Sequence, residues 1–345
     1  MRISVVIPTY NRSSLLERSV YSVSKQTYPP YELIIVDDHS DDFNYKFLCN
    51  LKLRYSHCLN ITIIRNEINK GANYCRNLGI NRASGDFIAF LDSDDAWLPD
   101  KLFSQVNALR KKKEKTTLPL LSSTGRYRVD SSGQVICRQF SYTPYSRDSI
   151  VSSNFIGTLS SVAVETWIAK FIGGFDEKLP ANQDWDFFIR LSDFVEYVGV
   201  PDALCIYFDH DEERITSNNR QRLQAHFSIL SMHFCQIPAR SKGKIYKRIS
   251  EDLQSVNKFK SSRIAYSFYI QNTFGTNFID YLIDRSTQRM IIYIFFVIFG
   301  LPDLRKSRYF RYRKSFSKLW KNKDERKKIL RHKKQILAIM QNSVN

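Results

Sequence analysis

The sequence predicts an α/β fold, with a mostly parallel sheet and flanking helices, followed by an α-helical C-terminal extension. Four apolar runs in the first hundred residues lack polar alternation, as is typical of strands buried on both faces of a sheet. The segments between these runs repeat their apolar residues at helical spacing. From about residue 217 the pattern is helical throughout, with aromatic and basic residues interleaved.

Strands and helices alternate in order along the first 115 residues. The strands are predicted at 3–7, 33–36, 61–64 and 87–91, and the helices at 13–26, 43–53, 72–83 and 99–113. After residue 115 the pattern changes. The segments 120–128 and 134–142 flank the turn Asp130-Ser131-Ser132-Gly133, and this arrangement predicts a hairpin. Further strands are predicted at 158–164 and 195–200, and further helices at 166–171 and 185–191.

Composition and charge exclude some classes of protein. At 345 residues the chain is long enough for about two domains. Its 43% apolar and 14% aromatic residues exclude a disordered chain. The net charge of +18 indicates an anionic partner, which charge alone leaves open as nucleic acid, an anionic membrane or a phosphorylated substrate. Two thirds of this excess lies in residues 303–345, which hold 15 Lys and Arg against three Asp and Glu.

Acidic clusters follow two of the predicted strands, and a third stands at a predicted helix start. They are Asp37-Asp38, Asp92-Ser93-Asp94-Asp95 and Gln183-Asp184-Trp185-Asp186. Each cluster by itself is also typical of a helix N-cap. In a parallel sheet, however, the first two meet at the edge where ligands bind. An Asp-x-Asp pattern suits Mn²⁺ or Mg²⁺, which keeps waters and binds substrate phosphates.

Five ordered blocks between residues 3 and 215 resemble family 2 glycosyltransferases, the inverting enzymes with the Rossmann-like GT-A fold. The blocks are VVIPTYNR at 5–12, SKQTY with ELIIVDDHS at 24–28 and 32–40, NKGA with RNLG at 69–72 and 76–79, GDFIAFLDSDD at 85–95, and GGFDE with DWD at 173–177 and 184–186. The resemblance implies a nucleotide-binding half at 1–115 and an acceptor-binding half at 116–215. It leaves 216–345 as a separate helical, basic region.

The resemblance implies a nucleotide-sugar donor site built from the first blocks. The Pro8-Thr9-Tyr10 turn would pack on the base, with Tyr10 as a stacking ring, although a strand-end tyrosine is also an ordinary core-edge residue. Asp38 would accept the imide N–H of uracil or thymine, while Asp37 binds the donor or caps the next helix. Gly71 and Arg76 would face the base or the diphosphate.

The later blocks supply the implied metal and acceptor sites. Asp92, beside Ser93, would hold the ribose and Asp94 the metal, with His210 as a further candidate metal ligand. Asp184 would be the general base that takes the proton from an acceptor hydroxyl. Gln183, Trp185 and Asp186 are the acceptor-side candidates. The family usually has Glu-Asp where this chain has Gln183-Asp184, a departure that affects a supporting contact.

The C-terminal region indicates where the protein works. An apolar, aromatic run at 290–299 precedes the basic segment, which favours an anionic membrane surface over a buried helix pair or nucleic acid. The run is too short to span a bilayer, which requires about 20 residues. With no leader sequence at the N-terminus, we expect a cytoplasmic enzyme, peripheral at the inner face of the membrane.

The expected reaction is one sugar transfer per acceptor. The expected donor is a nucleotide-diphosphate sugar, with Asp38 favouring a UDP-sugar, and the expected acceptor is a hydroxyl of a growing lipid-linked glycan. The Q-x-x-R-W signature of processive relatives is absent from the sequence. Two alternatives remain open: a nucleotidyltransferase on a similar sheet, which the lack of a Gly-rich phosphate loop disfavours, and a non-catalytic membrane- or polyanion-binding protein.

Overall fold

The strands form one mixed sheet in the part of the chain that the computed structural model describes, which is residues 1–130, 134–141, 147–209, 219–255 and 258–274. They are β1 (Ile3–Thr9), β2 (Glu32–Asp37), β3 (Ile61–Arg65), β4 (Phe87–Phe90), β5 (Ala96–Trp97), β6 (Leu120–Val129), β7 (Val135–Gln139), β8 (Val162–Glu165) and β9 (Glu196–Phe208). Their order across the sheet is β3-β2-β1-β4-β8-β6-β9-β5, and β7 pairs with β6.

The first four strands are parallel and lie side by side. β1 pairs with β2 on one side and with β4 on the other, and β3 pairs with β2. All seven residues of β1 are buried, as expected for a central strand covered on both faces. β8 enters antiparallel to β4, and the long pair of β6 and β9 is again parallel. The predicted α/β class with a mostly parallel sheet is therefore confirmed.

Helices connect and cover these strands. They are α1 (Ser13–Ser24), α2 (Asp42–Tyr55), α3 (Ala72–Arg82), α4 (Lys101–Lys113), α5 (Arg147–Ser152), α6 (Thr166–Phe171) and α7 (Gln183–Leu191). Three more follow the sheet, namely α8 (Asn219–His233), α9 (Ala239–Ser255) and α10 (Phe259–Phe274). The helical character predicted after residue 217 is confirmed for these segments.

In the described residues, no helix has the length and apolarity that crossing a bilayer requires. The apolar run at 290–299 and the basic segment after it lie outside the described residues. The predicted membrane attachment therefore stays a prediction, as does the division of the chain at residue 215.

The structure differs from the sequence prediction in two predicted strands and in two short elements that were not predicted. The segment 158–164 begins as a 3-10 helix, Leu159–Ser161, because the Thr158 hydroxyl caps its first turn by accepting the Ser160 N–H. The strand predicted at 195–200 continues to Phe208, past a register shift at Gly125 of β6. The irregular pairing there tolerates Pro201, which lacks an N–H for a regular ladder. The short β5 and α5 were not predicted.

Helix α3 packs on the central strand at Gly79. A Cβ built on Gly79 would lie 2.3 Å from Cγ1 of Val6, so the helix approaches β1 more closely than alanine would allow. Both residues are buried, Val6 completely. This contact determines how near α3 lies to the sheet edge.

We expect Gly79→Ala to lower the free energy of unfolding by about 1–3 kcal/mol, because the added methyl overpacks a stiff β-branched neighbour. Val6→Ala should also destabilise, by leaving a cavity. The double variant should lose less unfolding free energy than the two single losses added together, by at least about 0.5 kcal/mol. The smaller side chain at residue 6 makes room for the methyl added at residue 79. Urea unfolding of the four proteins measures this, and strict additivity would contradict the packing described.

Candidate functional site

The carboxyl ends of β1, β2 and β4 lie at one edge of the sheet, as the parallel pairing requires. Thr9 stands opposite Asp37 in the register, and the backbone N–H of Asp38 donates to the Thr9 carbonyl at 2.9 Å. Tyr10 follows directly, with 47% of its surface exposed at this edge. The first two predicted donor blocks are thus adjacent in space.

Asp38 organises the turn before α3. Its carboxylate accepts the backbone N–H groups of Lys70 at 2.8 Å and Gly71 at 2.7 Å, and the side-chain amide of Asn66 at 2.8 Å. Gly71 has a φ of 86°, which glycine adopts without strain. Asp38 therefore already has three donors, and its predicted contact with a base would add a fourth.

Asp37 faces away from that turn. Its carboxylate is 3.4 Å from Nε of Arg65 and accepts the Ser40 N–H at 3.3 Å. The N-cap of α2 is Asp41, whose side chain accepts the N–H of Asn44. The suggestion that Asp37 caps this helix was wrong, because Asp41 stands at the required position.

The Asp-x-Asp segment after β4 is held by arginines from two other elements. Arg76 of α3 donates from Nη2 to Asp92 at 2.6 Å, and Arg12 donates from Nη1 to Asp94 at 2.8 Å. Arg18 of α1 donates to the Asp94 carbonyl at 2.6 Å. Arg76 is 5% exposed, so it meets Asp92 largely out of water.

Asp95 and Ser93 support this segment from within the core. Asp95 accepts the Ser160 hydroxyl at 2.5 Å, and burial, with the charges of Asp94 and Asp92, raises the pKa of its carboxyl well above the usual range. The hydroxyl of Ser19 lies 2.8 Å from the Ser93 carbonyl and 2.7 Å from the Asp95 carbonyl, so its single hydrogen is shared between them. The buried Ser93 thus contributes its backbone to holding the segment.

The residues at this edge fit a divalent cation that takes most of its ligands from substrate and water. Asp92 and Asp94 remain 28% and 19% exposed, and they supply the hard oxygens that Mg²⁺ and Mn²⁺ prefer. Burial, followed by the charges of Asp94 and Asp92, raises the pKa of Asp95, and a cation would offset these charges. Among the described residues no three His, Cys, Asp or Glu side chains form a complete metal cage. Residue 210, the predicted histidine ligand, lies outside the described residues.

Asp184 stands in the first turn of α7, within electrostatic reach of the β4 edge. Its carboxylate accepts the side-chain amide of Asn154 at 2.7 Å and the N–H of Trp185 at 2.8 Å. Burial raises the pKa of this carboxyl, and the charge of Asp92 acts in the same direction. The two hydrogen bonds and the charge of Arg76 oppose the rise. The predicted base and the predicted donor site therefore belong to one electrostatic group.

Two of the three acceptor-side candidates are structural residues. Trp185 is 2% exposed and donates from Nε1 to the carbonyl of Ile150 at 2.7 Å, which holds α7 to α5. Asp186 is 1% exposed and bonds to Arg190 and His233. Neither presents a polar group to an acceptor, because both side chains are buried and their polar atoms bond within the protein. Gln183 is half-buried, and its acceptor-side role stays a prediction.

The loop that leads to α7 is fixed to α3 by two asparagines one turn apart. The side chain of Asn77 bonds both the N–H and the carbonyl of Phe175, at 2.7 and 3.0 Å. Asn73 donates to the carbonyls of Asp176 and Leu179, at 3.0 and 3.1 Å. Gly174 has a φ of 66°, and a Cβ there would lie 2.2 Å from Oδ1 of Asn77. The RNLG and GGFDE blocks are thus in direct contact.

Sequence reasoning assigned no role to several residues that the fold brings to this edge. Arg12, Arg18, Asn154 and Ser160 contact the carboxylates or the segment that carries them. Arg12 stands in the VVIPTYNR block, which offered a signal. The other three have no motif, because their partners lie 30 to 76 residues away in the sequence.

Comparison with known proteins gives consistent results. Residues 4–130 match the family described as Glycosyl transferase family 2. A relative in Escherichia coli (strain K12), WcaA, provisionally named a colanic acid biosynthesis glycosyl transferase, is 34% identical over 233 residues, which cover 64% of this chain and 77% of that protein. The E. coli UDP-Glc:alpha-D-GlcNAc-diphosphoundecaprenol beta-1,3-glucosyltransferase WfgD is 28% identical over 231 residues, covering 66% and 85%.

A similar solved structure is that of S. aureus TarS (residues 1–349) in complex with UDP. It is 19% identical, with a TM-score of 0.49, and the likeness covers 79% of this chain and 89% of that one.

The turn held by Asp38 makes a testable stability contribution. Asp38→Asn replaces one acceptor oxygen with an NH₂ that opposes a backbone N–H, so we expect the free energy of unfolding to fall by about 1–3 kcal/mol. Asp42→Asn, at a side chain that is 89% exposed, removes the same charge nearby and should change it by less than about 0.5 kcal/mol. Urea unfolding measures both, and equal losses would contradict the role of Asp38.

Proposed function

The chain belongs to glycosyl transferase family 2, and on that premise we propose that it is an inverting, non-processive transferase. In this proposal it moves a sugar from a UDP-sugar to a hydroxyl of a lipid-linked glycan during the synthesis of a cell-envelope polysaccharide. The single observation that carries the proposed chemistry is the position of helix α3. Its Arg76 bonds Asp92 at the donor edge, and its Asn73 bonds the loop that leads to the helix of Asp184, so it joins the proposed base to the proposed donor site.

The relatives support the proposed donor and acceptor. WfgD is named for transfer from UDP-Glc to a GlcNAc-diphosphoundecaprenol, and WcaA for colanic acid biosynthesis. Asp38 and Tyr10 lie at the same edge as Asp92, where a nucleoside would extend along the ends of β1 and β2. A UDP-sugar donor and a diphosphate-linked lipid acceptor are therefore the first substrates to test.

Asp184 is the proposed general base. An inverting transfer needs a carboxylate that removes the proton from the acceptor hydroxyl as its oxygen attacks the anomeric carbon. Burial raises the pKa of Asp184, which makes its carboxylate a stronger base than an exposed aspartate. Asn154 orients this carboxylate through its side-chain amide.

The donor side is proposed to bind and orient the nucleotide. Tyr10 stacks on the base, Asp38 accepts its imide N–H, and Asp92 holds the ribose. Arg12 and Arg76, already beside Asp94 and Asp92, are the cations nearest to a diphosphate in this position. A divalent cation held by Asp94 would neutralise the charge that develops on the departing UDP.

Membrane attachment completes the proposal. A lipid-linked acceptor lies at the cytoplasmic face of the membrane, and the basic residues of 303–345 suit an anionic lipid surface. We assign the donor site to residues 1–115, the acceptor site to 116–215 and peripheral attachment to the region after 215. Vesicle binding of the full chain, compared at low and high salt, tests the attachment.

The assigned base is tested by Asp184→Asn. We expect kcat to fall by about 10²- to 10⁴-fold, because the amide cannot accept the proton. Affinity for the UDP-sugar should stay within about twofold, because Asp184 contributes to the acceptor step. UDP release is measured across a panel of UDP-sugars with a GlcNAc-diphospholipid acceptor, and donor binding by thermal shift.

The matched control for this experiment is Asp148→Asn, an exposed aspartate in the first turn of α5. Its kcat should equal that of the unchanged protein. Near-normal turnover by Asp184→Asn would show that another group is the base. Absence of transfer from every UDP-sugar by the unchanged protein would contradict the proposed donor.

The environment of Asp184 predicts the acid limb of the pH–rate profile. Only the deprotonated carboxylate accepts a proton, so kcat falls as the pH drops through its pKa, and this limb should lie above the ordinary range for aspartate. Asn154→Ala removes a hydrogen bond that stabilises the charged form and should move the limb to higher pH. Asn81→Ala, at an exposed asparagine of α3, should leave it in place. A downward shift in Asn154→Ala would contradict the assignment.

A further inference from the structure

A buried charge cluster joins the helix of the proposed base to the helical region after the sheet. Asp186 of α7 accepts from Nε of Arg190, one turn along the same helix, at 2.8 Å. Its other oxygen lies 2.8 Å from Nε2 of His233, at the end of α8. The side chains of Asp186 and His233 are 1% and 0% exposed.

Each partner in this cluster is needed by the others. A carboxylate removed from water is tolerated only when opposite charges and hydrogen bonds compensate it. Burial by itself would raise the pKa of Asp186, yet Arg190 and His233 hold it at about 2. Arg190 also donates from Nη1 to the carbonyl of Ile172 at 3.1 Å, so the cluster connects the end of α6 with α7 and α8.

The first turn of α7 depends on such contacts because its own cap is weak. The N-cap residue Asn182 has a left-handed backbone, with a φ of 56°, and makes no side-chain capping bond. Asp184 lies two residues further on, and Asp186 another two. The contacts of Asp184, Trp185 and Asp186 with Asn154, Ile150 and His233 therefore decide where this turn lies.

We propose that His233 is a positioning residue for the transfer reaction: from α8 it fixes α7 through Asp186, and so determines where the carboxylate of Asp184 meets the acceptor. The inference rests on the proposed role of Asp184 as the base. It makes α8 a functional part of the catalytic unit. It also predicts that a change 47 residues away from Asp186 in the sequence lowers turnover without touching substrate.

The same helix supplies a matched control. His226 of α8 is also buried, and its Nδ1 lies 2.9 Å from the buried Asp252, which is paired with Arg222 as well. Among the described residues, the hydrogen bonds of this second His–Asp–Arg cluster connect α8 to α9. His233→Leu and His226→Leu therefore remove equivalent interactions from one helix, and only the first acts on the helix of the base.

The experiment measures the full chain in two ways. Hydrogen exchange of backbone amides reports how firmly α7 is held, and UDP release from the panel donor that the unchanged protein turns over, with UDP-glucose tested first, reports kcat and KM. For His233→Leu we expect faster exchange over residues 183–191 and a kcat about 10- to 100-fold lower, with the donor KM within about twofold. For His226→Leu we expect faster exchange in α8 and α9 only, with kcat unchanged.

Conservative variants separate positioning from general stability. The amide nitrogen of glutamine reaches about as far from Cα as Nε2 of histidine, whereas that of asparagine falls one bond short. His233→Gln should therefore restore most of the turnover lost in His233→Asn, although both place a neutral amide in the core. This pair decides the matter even if His233→Leu does not fold.

Two results would overturn the inference: equal turnover of the glutamine and asparagine variants, or a loss in His233→Leu no larger than in His226→Leu. If the unchanged protein transfers no sugar at all, the proposed function is contradicted, but the inference that His233 holds α7 is not. The exchange of residues 183–191 then still decides whether His233 holds α7.

Discussion

The candidate site depends on the buried guanidinium of Arg76, which is bonded to Asp92 at the edge of the sheet. Arg76 is 5% exposed, donates to Asp92 at 2.6 Å and to Oδ1 of Asn73 at 3.3 Å, and its charge acts on Asp184 as well. A buried cation of this kind keeps several acidic groups close together that would otherwise repel one another. The rest of the site is arranged around it, because helix α3 carries Arg76 and also makes the contacts on both sides.

Helix α3 therefore joins the two halves of the site. Its first residues follow the turn that Asp38 holds through the N–H groups of Lys70 and Gly71. Further along, Asn73 and Asn77 bond the loop that leads to α7. Gly79 lets the helix approach β1 closely enough for these contacts to coincide. A rigid helix that touches both halves would keep the proposed donor edge and the proposed base at a constant separation, as attack on a bound sugar requires.

Basic and acidic residues are concentrated in different parts of the chain. Most of the net charge lies in residues 303–345, whereas the edge of the sheet gathers Asp38, Asp92 and Asp94. In the proposed function, the basic segment would face an anionic membrane surface, and the carboxylates of the edge would hold the cation that binds a diphosphate. Family membership removes the two alternatives, pyrophosphate release and non-catalytic binding, that composition had left open.

The sequence alone determined the alternation of strands and helices, the parallel edge with its carboxylates and the family, because each depends on local periodicity or on short ordered blocks. It did not determine the roles within Gln183-Asp184-Trp185-Asp186. Two of these four residues, Trp185 and Asp186, are buried against Ile150 and His233. Nor did it indicate β5, a strand of two residues whose partner in β9 lies more than a hundred residues away. Only the tertiary structure decided these features. The environment of a helical side chain and the partner of a short strand depend on the residues that pack against them, and local periodicity does not indicate which residues those are.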